Sequence, residues 1–232
     1  MGGRGSNFGN VTSSVTPAQD KTINRLANRT RNLKNEQYRI VNEDGEVVLE
    51  KRGNNHEVAA TVGEKRRYME GAVSIHNHPD GGTFSDADFS DFGFGARQIV
   101  VASPEGNYKM TNMKYGTPDQ SRGWLELRNA MDAAGVTRDR SFTELRREAQ
   151  NSPAYKKQGE KVSKLSNQWI EAKNAGKPQS VLDDIYKKYD EAAKVSSKIL
   201  KQEERKAAVR PYDEFYKKNA SKYGFKYEFT KR

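Results

Sequence analysis

The chain has 232 residues, a length that suits one ordinary domain with an extension or two small domains. Hydrophobic residues make up 34% and charged residues 31%, so we expect a modest core and a heavily solvated surface. The absence of cysteine excludes disulfides, thiol catalysis and cysteine-ligated zinc. Because no apolar run approaches the roughly 18 residues of a membrane span, we expect no membrane partner and a cytoplasmic location.

The net charge of +10 is unevenly distributed along the chain. Residues 1–120 contain 15 basic and 15 acidic side chains, whereas residues 121–232 contain 26 basic and 16 acidic ones. Basic side chains alternate with aromatic ones in the second segment, a composition that can bind nucleic acid or another acidic partner. The alternative is that these aromatic residues form the apolar stripes of ordinary amphipathic helices.

The first half of the chain predicts a flexible Gly/Ser/Thr/Asn tail followed by short helices and strands. In order, the patterns indicate a tail over 1–20, a helix over 21–34, strands over 36–41 and 46–49 joined at Asp44-Gly45, a strand or helix start over 57–62, a buried strand over 71–75, a helix over 86–94, and strands over 98–102 and 108–113.

The second half predicts helices. Apolar residues recur with helical spacing on both sides of a break at 175–178, which indicates two helices that can pair as a hairpin. A last helix is expected over 212–222 and a terminal strand over 225–229. The fold class is therefore α+β: a compact mixed sheet with flanking helices over 21–117, followed by a basic, mainly α-helical extension over 118–232.

Two of the three histidines in the sequence, His76 and His78, are separated by one residue at the end of a predicted strand. Side chains at i and i+2 of a strand point to the same face, so these imidazoles can share one metal ion. Asp88 follows after a Gly-Gly loop that can bring its carboxylate to the same ion. Two histidines and one carboxylate leave a fourth zinc position for water. Either half of the pattern alone is compatible with a surface H-x-H pair or an ordinary helix cap.

The combined run H-N-H-P-D-G-G-T-F-S-D-A-D resembles the signature of the JAMM (JAB, MPN+) zinc metallopeptidases. Asn77, between the two histidines, and the glycine that follows them make this run most similar to RadC-like proteins and to JAB-like domains of phages and mobile elements. The resemblance covers about residues 34–113 and identifies 21–117 as a JAMM-like metal-binding domain. Five residues separate Pro79 from Ser85, one fewer than is usual in the eukaryotic deubiquitinase branch.

The resemblance also implies roles for individual residues. His76, His78 and Asp88 would bind Zn²⁺, and Ser85 would donate a hydrogen bond to the oxyanion. An upstream glutamate would be the general base. Glu36 is the preferred candidate because it precedes an apolar strand and an acidic-Gly turn, and Glu57 is the alternative.

The expected function is zinc-dependent hydrolysis of peptide or isopeptide bonds in a protein or peptide substrate, by a protein encoded by a phage or mobile element. Two alternatives are a non-enzymatic phage assembly component and a RadC-like protein that acts near DNA. The chain would then work in the host cytoplasm or in the virion. Beyond its substrate, the expected partners are an acidic partner or nucleic acid bound by residues 121–232, and a phage particle.

Overall fold

The computed structural model describes residues 15–54, 58–79, 81–84, 87–120, 122–136 and 140–231. The chain divides into two compact units. The sheet unit comprises residues 1–138 and 211–232, and the helical unit comprises residues 139–210. Of the predicted extension over 118–232, residues 118–138 and 211–232 belong to the sheet unit, and residues 139–210 form the helical unit.

The sheet unit is built on a six-stranded mixed sheet, which confirms the α+β class. Its strands are β1 (Gln37–Val41), β2 (Val47–Arg52), β3 (Val73–Asn77), β4 (Gln98–Ser103), β5 (Gly106–Asn112) and β6 (Phe225–Lys231). The strand order is β2-β1-β3-β4-β5-β6. The β3–β4 pair is parallel, and the other neighbouring strands are antiparallel.

The helices of the sheet unit are short. They are α1 (Pro17–Thr30), α2 (Val62–Tyr68), α3 (Ser90–Gly93), α4 (Arg122–Ala133) and a 3-10 turn at Ala220–Tyr223. Helix α1 begins four residues before the predicted 21–34 helix because Thr16 and Gln19 form a capping box and Pro17 occupies the first helical turn.

Of the two alternatives for 57–62, the structure has the helix start, because Thr61 caps α2 and the helix begins at Val62. The helix predicted over 86–94 differs from the structure, in which residues 87–89 form a turn and only Ser90–Gly93 are helical. Residue 86 lies outside the described residues. Phe89 and Phe92 are both buried, as their predicted common face requires.

Alternation along the strands gives the sheet two buried faces. Helix α1 covers the first face, where Ile23 and Leu26 pack with Ile75, Val100 and other apolar strand residues. The second face carries Tyr38, His76 and Val101, which are neighbours in the strand register. A buried aromatic cluster, formed by Phe84, Phe89, Phe92, Tyr216 and Phe225, lies in the same unit. The histidine-bearing face is therefore the one opposite α1.

The turn between β1 and β2 shows why glycine is required at position 45. Gly45 has φ of 79°, and a Cβ at this position would lie 2.6 Å from the Ala18 carbonyl oxygen. Both the backbone conformation and the close approach of α1 exclude a larger residue. The predicted Asp44-Gly45 hairpin turn is confirmed.

The helical unit contains α5 (Phe142–Gln150), α6 (Pro153–Asn174) and the beginning of α7 (Gln179–Asn219). The predicted break at 175–178 is confirmed. Gln158 Nε2 donates to the Ala192 carbonyl oxygen at 2.8 Å, which links α6 to α7.

In the sheet unit, the alternating FKYEF segment does form the predicted strand, β6, which pairs with β5.

A separate helix over 212–222 was predicted, but α7 continues through Pro211 to Asn219. Proline has no N–H, so it cannot donate to the carbonyl oxygen four residues earlier, at Ala207. Arg140 Nη1 donates to that oxygen at 2.8 Å and replaces the missing bond. Proline therefore does not end α7, because a side chain supplies the lost donor.

No helix among the described residues has the length and apolar content needed to cross a membrane.

Candidate metal centre

The three predicted metal ligands come from two neighbouring segments of the sheet unit. His76 lies near the end of β3, and His78 follows directly after the strand, where its N–H donates to the Ala102 carbonyl oxygen at 3.1 Å. Asp88 lies in the turn that leads into α3, and its carbonyl oxygen accepts from Asp91 N at 3.2 Å. Residues 79 and 81–84, which lie between these two segments in the sequence, have no helix or strand structure.

The ligand atoms of the three side chains converge. His76 Nε2 lies 2.9 Å from His78 Nε2 and 3.1 Å from Asp88 Oδ1. His78 Nε2 lies 4.0 Å from Asp88 Oδ2. His76 is buried, whereas the side chains of His78 and Asp88 are 16% and 13% exposed. These residues form a group that could hold a metal ion.

The separations of these atoms can be compared with those around a tetrahedral metal ion. Ligands at about 2.1 Å from such an ion lie about 3.4 Å apart. The distances of 2.9 Å between the two histidine nitrogens and 3.1 Å from His76 to Asp88 Oδ1 are slightly shorter than that value. The 4.0 Å from His78 to the second Asp88 oxygen, Oδ2, is longer.

The loop between the ligands is fastened at both ends. Gly81 N donates to the His78 carbonyl oxygen at 3.0 Å, and a Cβ at Gly82 would lie 3.1 Å from His78 Nδ1. At the far end, the buried Tyr216 hydroxyl donates to the Phe84 carbonyl oxygen at 3.3 Å. The Nδ1 side of the His78 ring therefore faces the loop, and its Nε2 faces the other two ligands.

The electrostatic environment shifts the pKa values of the two histidines in opposite directions. Burial opposes protonation of His76, but the carboxylates of Asp88, Asp91 and Glu36 outweigh it and raise its pKa. Burial lowers the pKa of His78 to about 4, with a further contribution from the neighbouring His76 ring. The His78 imidazole thus stays neutral and keeps its lone pair for a metal ion, while the carboxylates near His76 stabilise a cation there.

Glu36, the preferred general base, lies close to the histidines. The β1–β3 register pairs Tyr38 with His76, and continuing it by two residues sets Glu36 across from His78 on the same sheet face. Glu36 is 9% exposed, and its backbone is held by Asn54 and Gly53 through bonds of 2.7 and 2.9 Å. Ser85 and the alternative base Glu57 lie outside the described residues.

Asn77, between the two histidines, holds the segment that carries Glu36. Its Oδ1 accepts from Gln37 N at 2.8 Å, and its Nδ2 donates to the Asn35 carbonyl oxygen at 3.2 Å. Asn77 is fully buried. The sequence indicated this residue through the family resemblance alone, with no structural role attached.

Replacing Asn77 by alanine is expected to destabilise the fold by about 1–3 kcal/mol, because two part-buried hydrogen bonds to the backbone, at about 0.5–1.5 kcal/mol each, are lost. Urea unfolding followed by circular dichroism measures this change. Asn24→Ala is the matched control, since it removes an exposed amide that bonds Asp20 Oδ2. Equal midpoints for the two variants would contradict the assignment.

Three residues of the site were missed by sequence analysis: Tyr38, Lys65 and Asp91. Tyr38 Oη donates to Asp91 Oδ2 at 2.9 Å, and Lys65 Nζ lies 2.6 Å from Asp91 Oδ1. Strand alternation places Tyr38 on the same face as Glu36, a signal that could have been used. Nothing in the local sequence indicates that α2 and α3 meet at Asp91.

Comparison with models of known families, with curated proteins and with solved structures finds no match to this chain.

Proposed function

We propose that the chain is a zinc-dependent hydrolase of the JAMM type that cleaves peptide or isopeptide bonds. The observation that carries the proposal is the convergence of His76 Nε2, His78 Nε2 and an Asp88 carboxylate oxygen within 4.8 Å of one another. The family resemblance alone associates this ligand set with hydrolysis, whereas the spacing of the ligand atoms supports metal binding.

The donor set favours zinc among the common metal ions. Two imidazole nitrogens and one carboxylate oxygen suit zinc, whereas calcium and magnesium prefer oxygen ligands. Three protein ligands leave one tetrahedral position open, as a catalytic site requires. When bound, the ion would supply a Lewis acid that lowers the pKa of water and polarises the substrate carbonyl.

The remaining steps would be performed by side chains of the chain itself. Glu36 would take a proton from the attacking water and deliver it to the leaving amine. Its place across from His78 supports this role, because the base must be within reach of the attacking water without binding the metal. Ser85 would donate a hydrogen bond to the developing oxyanion of the substrate. The partial exposure of His78 and Asp88 supports access of a substrate to the site.

Metal removal tests the proposal. The purified chain is expected to contain about one zinc ion and to hydrolyse a peptide or isopeptide bond. Dialysis against a chelator should abolish hydrolysis, and added Zn²⁺ should restore it. Hydrolysis that survives complete metal removal would contradict the mechanism. Bound zinc without cleavage of any protein from a lysate of the source would favour the assembly component instead.

We propose a second role, binding of single-stranded nucleic acid, for the helical unit. Residues 139–210 contain 17 lysines and arginines and 11 aspartates and glutamates. Each phosphate contact contributes about 0.7 to the slope of log affinity against log salt.

Lys187 and Lys198 are exposed side chains of α7 in the helical unit. If both contact phosphates, replacing them by glutamine should reduce that slope by about 1.4, measured by fluorescence anisotropy with a labelled oligonucleotide. Lys226→Gln, in the sheet unit, is the control. Salt-independent binding would exclude this role.

A further inference from the structure

A buried ion pair lies beside the metal ligands and takes no part in the proposed hydrolysis. Lys65 of α2 and Asp91 of α3 have side chains that are 14% and 3% exposed. Lys65 Nζ lies 2.6 Å from Asp91 Oδ1 and donates a hydrogen bond to Ser90 Oγ at 2.8 Å. The lysine thus neutralises the carboxylate and ties α2 to the first residues of α3.

The second carboxylate oxygen connects this pair to a metal ligand. Asp91 Oδ2 accepts from the Tyr38 hydroxyl at 2.9 Å. Tyr38 is paired with His76 in the β1–β3 register, and the centroids of their two rings are 6.3 Å apart. The chain of contacts therefore runs from Lys65 through Asp91 and Tyr38 to the His76 ring.

Asp91 is also connected to the third ligand. Its backbone N–H donates to the Asp88 carbonyl oxygen at 3.2 Å. Because Lys65 contacts both Asp91 and Ser90, it fixes the beginning of α3 next to the turn that carries Asp88. Asp91 therefore reaches Tyr38, the neighbour of His76, through its carboxylate and Asp88 through its backbone N–H, so it lies between two ligands that come from different elements.

The orientation of His76 needs such support. A metal-binding histidine usually donates its second ring nitrogen to a carboxylate, a carbonyl or water, which fixes the ring. His76 Nδ1 is buried and has no hydrogen-bond partner among the described residues. On the side away from the other two ligands, the neighbouring Tyr38 ring, with its centroid 6.3 Å away, is one of the groups that restrict rotation of the His76 ring. A buried ion pair is in general not needed for stability alone, since apolar residues of similar volume often serve as well.

We propose that Lys65, Asp91 and Tyr38 form a positioning network that sets His76 and Asp88 in the geometry required for metal binding. The inference rests on the proposed metal site and extends it to three residues that do not touch the ion. Without the network, His76 and Asp88 are present but are held less accurately.

The test measures metal affinity and ligand geometry rather than catalysis. The full-length chain, stripped of metal, is titrated with Zn²⁺ in competition with a chromophoric chelator, and with Co²⁺ while its visible absorption is recorded. Asp91→Asn should weaken zinc binding about 10-fold to 100-fold, the range known for outer partners of metal ligands. Tyr38→Phe, which keeps the ring and removes the hydroxyl, should weaken it about 10-fold. Both variants should shift the Co²⁺ absorption bands.

Glu43→Gln is the matched control, because it breaks the ion pair with the buried Arg97 beyond the opposite end of β1. It should change the melting temperature without changing zinc affinity or the Co²⁺ spectrum. If Asp91→Asn does not fold, Tyr38→Phe decides the question.

Wild-type affinity and spectrum in a folded Tyr38→Phe or Asp91→Asn variant would overturn the network while leaving the proposed function intact. A wild-type chain that binds neither ion would overturn the proposed function itself.

Discussion

Replacing Glu36 by glutamine is expected to reduce hydrolysis by about 100-fold or more, the usual contribution of a positioned acid–base group. The amide has nearly the same shape as the carboxylate but cannot accept a proton from water. Because Glu36 is not among the three converging ligands, zinc content and melting temperature should be nearly unchanged. Initial rates on a peptide or isopeptide substrate, together with metal analysis of the same samples, measure both quantities.

Glu57→Gln is the informative comparison for this experiment. Full activity of Glu36→Gln with loss of activity in Glu57→Gln would transfer the role of base to Glu57 and preserve the mechanism. Full activity of both variants, in a chain that cleaves its substrate, would show that neither residue is the base. The electrostatic effect of the Glu36 carboxylate on the pKa of His76 favours Glu36 as the base.

Removing a ligand should have the largest effect of all on metal binding. His78→Ala is expected to lower zinc affinity by more than the roughly 100-fold that follows loss of an outer partner. The remaining two ligands cannot hold a tetrahedral ion securely. Asp88→Asn should also weaken binding, because it replaces a charged oxygen ligand with a neutral one.

Metal emission analysis after dialysis, with chelator competition for the affinities, measures the loss. His56→Ala is the control, since it removes a histidine that lies outside the H-x-H pair. Equal zinc content in His78→Ala and the wild type would contradict the ligand assignment. Parallel loss of metal in His56→Ala would show that the measurement reports unfolding rather than coordination.

Much of the candidate site is local, and local patterns are what a sequence records. His76 and His78 share a strand face because side chains alternate with a period of two residues. Pro79 and the glycines that follow it interrupt regular structure there, and Asp88 lies ten residues after His78, which allows one loop to bring the three groups together. The α+β class and most strand positions follow from the same kind of periodicity.

Contacts between distant segments were decided by the tertiary structure. Glu36 is brought near the histidines because β1 pairs with β3 as well as with β2, and a strand pattern does not specify its partner. Asp91 meets Tyr38 and Lys65 because the fold brings side chains of β1 and α2 to α3. No spacing in the sequence indicates these contacts.

The last residues show the same distinction between sequence and tertiary structure. Alternation over 225–229 predicts a strand, but its pairing with β5, more than a hundred residues earlier, is decided by the tertiary structure. Pro211 indicates a helix end by its chemistry, yet α7 continues, and Arg140 supplies a donor to the freed carbonyl oxygen. Sequence patterns determined the local elements and the three side chains that converge, since these depend on backbone geometry over a few residues. The surroundings of the candidate base, the contacts of the proposed positioning network and the sheet partner of β6 depend on partners that only the folded chain brings together.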